Sequence, residues 1–238
     1  MAVLEGFDFD INIDDVLTFM GYDEERPAPR RLREKAQAMQ EKCHQLIKPR
    51  SVYQVYETLE MDGDAIRIGS SERMGEFRGK ILRKVLKGSL MAIVFVGTMG
   101  SEIDSEIDRL NSEGDALSAI ILDTMGLYAL SKGKVKFLNE LYTKEAKPRN
   151  FSMTPPFGPG QCNWNISEQK EIFTLIDADL VGITLMESNL MAPKKSGSGI
   201  IGLGPKDDIL DKTPCFFCER KDCQGREMRK MFGDEHAS

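Results

Sequence analysis

Apolar positions along the chain predict a mixture of short helices and short strands. Residues 14–20 read as a short helix with Asp14 as its N-cap, and Pro27 and Pro29 interrupt the chain after it. Leu32, Ala36, Met39, Cys43 and Ile47 then recur at helical spacing with charges between them, which predicts an amphipathic helix over 32–47. Residues 51–61 alternate as a strand does, and Asp62-Gly63-Asp64 turns the chain into a second strand over 65–68. A short helix is expected at 80–86 and a buried strand at 89–96. Helices follow at 101–112, with Ile103, Ile107 and Leu110 on one side, and at 115–141, the most apolar helical stretch. The face of that helix from Leu122 to Leu130 suits a core or an interface. Pro, Gly, Asn and Ser dominate from 148 to 167, where a loop is expected. A helix capped by Ser167 runs to 176, and late strands fall at 183–186, 190–191 and 198–203. Strands and helices do not alternate as in βαβ units, so the fold class is α+β with a largely antiparallel sheet.

Composition narrows the function. The 238 residues carry 32 Lys+Arg against 38 Asp+Glu, a net charge of -6, and 41% are hydrophobic, which is a globular balance rather than a disordered one. An acidic chain is a poor general binder of nucleic acid, because phosphates need a surplus of cations. The longest apolar run, 90–96, is far below the ~20 residues of a membrane span, so no membrane association is expected. Residues 1–6 lack the basic and apolar regions of a secretory signal, and a cytoplasmic location is expected. Residues 1–210 read as one body and 211–238 as a C-terminal segment carrying three of the five cysteines.

Three stretches could carry chemistry. The first is Pro155-Pro156-Phe157-Gly158-Pro159-Gly160-Gln161-Cys162-Asn163-Trp164, where prolines fix φ and glycines permit close backbone approach. Such a bend can aim main-chain groups at a ligand, or it can be a structural turn whose Trp164 packs on the core. The second runs through Glu187 to the Gly-Ser run 196–199. Glu187 could meet a ligand amine, or be an exposed residue neutralised by Lys194 or Lys195; the run lacks the spacing of a phosphate loop. The third is Cys215-Phe216-Phe217-Cys218-Glu219-Arg220-Lys221-Asp222-Cys223. Two thiolates at C-x2-C with a third five residues on could hold zinc or an iron–sulfur cluster, with Cys162, His236 or a partner's group as the missing ligand. Arg220 and Lys221 would favour the thiolates. The alternative is a reduced cluster without metal. Only His44, within a helix, and His236 are present, so histidine-based general-base catalysis is not expected. Asp8 and Asp10 suit a solvated edge better than a metal pair.

The order of motifs carries a resemblance. Residues 13–22 (IDDVLTFMGY), 48–53 (KPRSVY), Gly97-Thr98-Met99-Gly100, Phe157-Gly158-Pro159-Gly160 with Trp164 and Glu168-Gln169, and Leu185 through Ser196-Gly197-Ser198-Gly199-Ile200-Ile201-Gly202 occur in that sequence. Over nearly its whole length the chain is similar to the activation domain of cobalamin-dependent methionine synthase. The resemblance implies a curved, mainly antiparallel sheet flanked by helices, a site for S-adenosylmethionine, and docking over the corrinoid of a corrinoid protein or corrinoid methyltransferase. In that family an electron and a methyl group return Co(II) to methyl-Co(III), and irreversible methylation draws the uphill reduction forward. The protein's share is positioning, which needs no general base. The implied ligand residues are Gly158, Pro159, Gly160, Gln161, Glu187 and Ser198. Where the family places an Arg for the cofactor's carboxylate this chain has Pro156, which offers no bidentate fork; Arg149 is the upstream candidate to replace it. Asp123 is nearest to the acid expected on the long middle helix. The function expected is an accessory protein for corrinoid-dependent methyl transfer, assisting reactivation or methylation of a partner's cobalamin. The alternative is a non-enzymatic binding module with a metal or iron–sulfur site at Cys215, Cys218 and Cys223.

Overall fold

A computed structural model describes residues 1–7, 10–210, 212–220 and 222–223. Asp8, Lys221 and His236, and most of the expected C-terminal segment, lie outside the described residues. The chain is α+β, with a curved antiparallel sheet flanked by helices. Its strands are β1 (Ala2–Glu5), β2 (Arg50–Tyr56), β6 (Met91–Thr98), β10 (Ser196–Pro205) and β7 (Phe151–Met153), side by side in that order. β10 is the longest and runs antiparallel to β6 from Ser196↔Thr98 to Leu203↔Met91.

Side chains alternate across these strands, and both faces are buried. Val52, Val94, Val96 and Ile200 face one way, while Tyr53, Ile93, Phe95, Ile201 and Leu203 face the other. That explains the unbroken apolar run in β6. The first face is covered by a small meander of β3 (Thr58–Asp62), β4 (Ala65–Gly69) and β5 (Met74–Arg78), with α3 (Lys80–Val85) and α6 (Gln169–Leu175). The second face packs on Phe137 and Leu141 of α5 (Ala116–Leu141). The N-terminal half of α5 joins α1 (Ile13–Phe19), α2 (Arg30–Leu46) and α4 (Glu102–Ser112) in a helical core of its own, through Leu122, Met125 and Ala129. A Cβ on Gly126 would lie 2.8 Å from Ile103 Cδ1, so this glycine lets α4 and α5 pack closely.

Some boundaries differ from the sequence expectation, for identifiable reasons. The single strand over 51–61 is divided at Glu57, because β2 stays in the large sheet while β3 opens the meander. Asn12, not Asp14, caps α1, its side chain accepting from the Asp15 N–H at 3.1 Å. Asn165 rather than Ser167 begins the helix before α6, which opens as a single 3-10 turn, Ile166–Glu168. Each cap lies upstream of the expected residue. A last hairpin, β8 (Thr184–Leu185) and β9 (Met191–Ala192), leads directly into β10.

Candidate functional site

The Pro-Gly bend is built onto β10. Phe157 and Ile200 exchange two backbone hydrogen bonds, the Phe157 N–H to the Ile200 carbonyl at 3.0 Å and the Ile200 N–H to the Phe157 carbonyl at 2.8 Å. Gly158 follows so close to the strand that a Cβ there would collide with the Ser198 carbonyl oxygen. Beyond Pro159 the chain closes on itself. The Gln161 N–H donates to the Gly158 carbonyl (3.2 Å), the Trp164 N–H to Gln161 (2.8 Å) and the Gly160 N–H to Trp164 (2.8 Å). Gly160, Cys162 and Asn163 adopt positive φ within this reversal. Trp164 folds back, stacking on Phe157 at 5.0 Å and meeting the edge of Phe77 at 6.0 Å. It is only 4% exposed, and its indole Nε1 has no hydrogen-bond partner among the described residues.

Ser198 stands beside the bend and donates from Oγ to Gln169 Oε1 at 2.8 Å. Gln169 opens α6 and is buried. The structure therefore brings together Gly158, Pro159, Ser198 and Gln169, with the rings of Phe157 and Trp164 behind them. Gln169 was not among the expected ligand residues; its position just after Glu168 at a helix start was the available signal. Gly160 and Gln161 are exposed at the tip.

The remaining expected residues are placed elsewhere. Glu187 sits in the turn between β8 and β9, exposed, and has no ion-pair or hydrogen-bond partner among the described residues. Lys194 and Lys195 do not neutralise it: Lys194 Nζ reaches Asp108 at 3.4 Å and Lys195 Nζ reaches Asp123 at 2.5 Å. Arg149 does not replace the missing guanidinium. It donates to the Glu145 carboxylate at 2.9 Å and to the Glu145 carbonyl at 2.7 Å, while Tyr53 donates to the same carboxylate at 2.8 Å. Burial, then the hydrogen bond to Glu145, hold the Tyr53 phenol well above its usual value. Arg149 also precedes β7, whose Phe151 pairs with Pro205, whereas Gly158 abuts Ser198. Seven residues along β10, roughly 23 Å of extended strand, separate those two positions.

Asp123 is committed to structure. Lys195 is 3% exposed, lies between Asp123 (2.5 Å) and Asp104 Oδ1 (3.8 Å), and draws both helices α4 and α5 onto the start of β10. Asp104 Oδ2 accepts the Lys194 N–H at 2.6 Å, and Oδ1 has no hydrogen-bond partner among the described residues.

Pro214–Phe217 forms a 3-10 turn on α3 that directs Cys215 inward, leaving it 6% exposed. Cys218 and Cys223 are half-buried beyond it. Among the described residues no group of three or more His, Cys, Asp or Glu side chains is gathered to hold a metal ion. The tight turn keeps Cys215 facing the core. A cavity of about 610 Å³ lies instead between the end of β2 and the β4–β5 turn, lined by Met1, Gln54, Tyr56, Thr58, Glu72 and Arg73 among others. None of its lining residues belongs to the bend. No helix of the described residues is long and apolar enough to cross a membrane.

No protein-family model matches the chain, and no curated protein matches it in sequence. Solved structures do match. One is the crystal structure of the MetH reactivation domain bound to AdoHcy, with a TM-score of 0.59 and 16% identity, covering 98% of this chain and 90% of that one. At that identity the likeness is one of fold.

Proposed function

We propose that this chain is an accessory protein of corrinoid-dependent methyl transfer, docking on a separate corrinoid protein and assisting the reductive reactivation of its cobalt. One observation carries the reading: the chain has the fold of the MetH reactivation domain along 98% of its length. The bend supports it secondarily. Gly158 and Ser198 hold the Gly160–Gln161 tip rigidly at the surface, so presenting it to a partner costs little ordering entropy.

The residues present do not fit S-adenosylmethionine in full. Pro156 stands where a guanidinium would meet the carboxylate, Arg149 is engaged by Glu145, and Asp123 is held by Lys195. The bend lies against its own strand, with Gly158 abutting the Ser198 carbonyl. The chemistry assigned to this chain is therefore protein docking and exclusion of water from the corrinoid, with no step through that cofactor.

The test uses a corrinoid protein in its Co(II) state, supplied with reductant and a methyl donor, with the methyl-cobalt absorption band followed with and without this chain. Faster return of the band is expected; no change despite complex formation would leave only the second reading, a non-catalytic binding module, which the closed bend favours. Absence of complex formation would remove both. Calorimetry with S-adenosylmethionine is expected to show no saturable heat, and Pro156→Arg is the variant expected to gain some.

A further inference from the structure

Four of the five cysteines have no part in the proposed function, and the fold brings their two segments to one short helix. Cys215 and Cys218 open the C-x2-C-x4-C run that ends at Cys223. Their turn, Pro214–Phe217, packs on α3, and Lys84 of that helix stands 5.6 Å from the centre of the Phe217 ring. The Cys218 N–H donates to the Cys215 carbonyl at 3.2 Å. The two cysteines therefore flank one hydrogen-bonded turn, the arrangement in which thiolates three residues apart chelate a single ion.

Cys162 comes to α3 from the other segment. It lies in the reversal of the bend with φ 47°, a conformation a non-glycine residue holds only where its surroundings impose it. Two residues on, the Trp164 ring covers Gly79, the N-cap of α3: a Cβ on Gly79 would lie 3.3 Å from Trp164 Cδ1. Cys162 and Phe217 pack against the same core, which includes Leu82 and Val85 of α3. That helix has six residues and spans about 9 Å, so two segments about 50 residues apart in sequence settle on the same stretch of backbone. The fifth cysteine, Cys43, is buried in the helical core with Leu32 and Met125.

We propose that Cys162, Cys215, Cys218 and Cys223 together bind one zinc ion, clasping the bend to the C-terminal turn beside α3. A C-x2-C pair with a third cysteine is one ligand short of the closed tetrahedral set of a structural zinc, and Cys162 completes it. Four thiolates around zinc carry net negative charge. Lys84 and Lys212, each beside one ring of the intervening Phe216-Phe217 pair, supply the opposite sign. The described side chains form no gathered set of ligands by themselves. Closing the site thus draws the cysteine turn toward the reversal, and the clasp depends on the metal. It does not depend on the proposed corrinoid role.

The full chain, stripped with chelator under reducing conditions, is titrated with Co(II) as a spectroscopic stand-in for zinc. One ion per chain is expected, with the thiolate-to-cobalt charge-transfer band and visible d–d bands of a tetrahedral sulfur site, and zinc should bleach both. Cys162→Ser should weaken Co(II) binding about 100-fold or more and lower the charge-transfer intensity, whereas Cys43→Ala should change neither. On the unsubstituted protein, zinc should protect Cys162, Cys218 and Cys223 together from iodoacetamide, read by mass spectrometry, and chelator should expose all three. This second measurement needs no variant to fold. Absence of stoichiometric Co(II) binding, unchanged affinity in Cys162→Ser, or zinc protection that leaves Cys162 reactive would overturn the proposal. So would a brown iron–sulfur chromophore in anaerobically purified protein, since the thiolates would then hold a cluster in place of zinc.

Discussion

At its start and at its middle β10 is fastened in opposite ways. Lys195, just before the strand, is an ammonium almost removed from solvent between Asp104 and Asp123, and it ties the sheet to two helices. Three residues on, at Ser198 and Gly199, the strand meets the bend through backbone groups, with glycine on both sides of the contact. A buried charge holds by attraction and leaves a large debt if its partner is removed. A glycine contact holds by the absence of atoms and fails when atoms are added. Two stretches that invite a ligand reading in the sequence are thus the two devices that attach β10 to its surroundings.

The sharpest way to break the first device is Lys195→Met, which strands Asp104, itself 9% exposed, without its counter-charge. A loss of about 3–5 kcal/mol in urea unfolding is expected, with part recovered on adding Asp104→Leu. For the second device Gly158→Ala is expected to cost about 1–3 kcal/mol, since its Cβ meets main chain that cannot turn aside. An unchanged midpoint would mean that the bend stands free of β10. Ser198→Ala leaves the buried Gln169 Oε1 without its donor and should cost about 1–2 kcal/mol by the same measurement.

Acid separates the helical layer from the sheet more gently. The hydrogen bond from Arg109, supported by Lys42, holds the Glu106 carboxyl at about 2, and Lys35 with Ser118 holds Asp115 at about 2. Folding favours the ionised form of both groups. Their contribution is therefore full above the ordinary carboxylate range, near 4, and disappears as pH falls toward 2. Thermal midpoints should decline over that window, and Glu106→Gln should flatten the decline. At the alkaline end Cys43, pushed up to about 12 by burial, favours the folded state below about 9 and loses that contribution as pH rises toward 12. It should also be the last cysteine alkylated at neutral pH.

Periodicity made the helices visible. The stripe Leu32, Ala36, Met39, Cys43 is buried as expected, and α5 begins within one residue of its expected start, with Asp115 accepting from the Ser118 N–H. Strands at the margin were less legible. β1, β5 and β7 are short, and each is defined by its neighbour in the sheet rather than by its own pattern. The partnership of Gly158 with Ser198 was suggested only by the order of motifs, because forty residues separate them. Lys195 was the largest surprise. No local signal distinguishes it from the exposed Lys194 beside it, and only the helices α4 and α5 arriving from far upstream decide which lysine is buried.

The one tryptophan of this chain lies in the bend, stacked on Phe157 and shielded from water. The protein therefore carries an optical reporter of that loop without any label. Its emission should be blue-shifted at rest and should move to the red, and become quenchable by iodide, whenever the loop peels away from the strand beneath it.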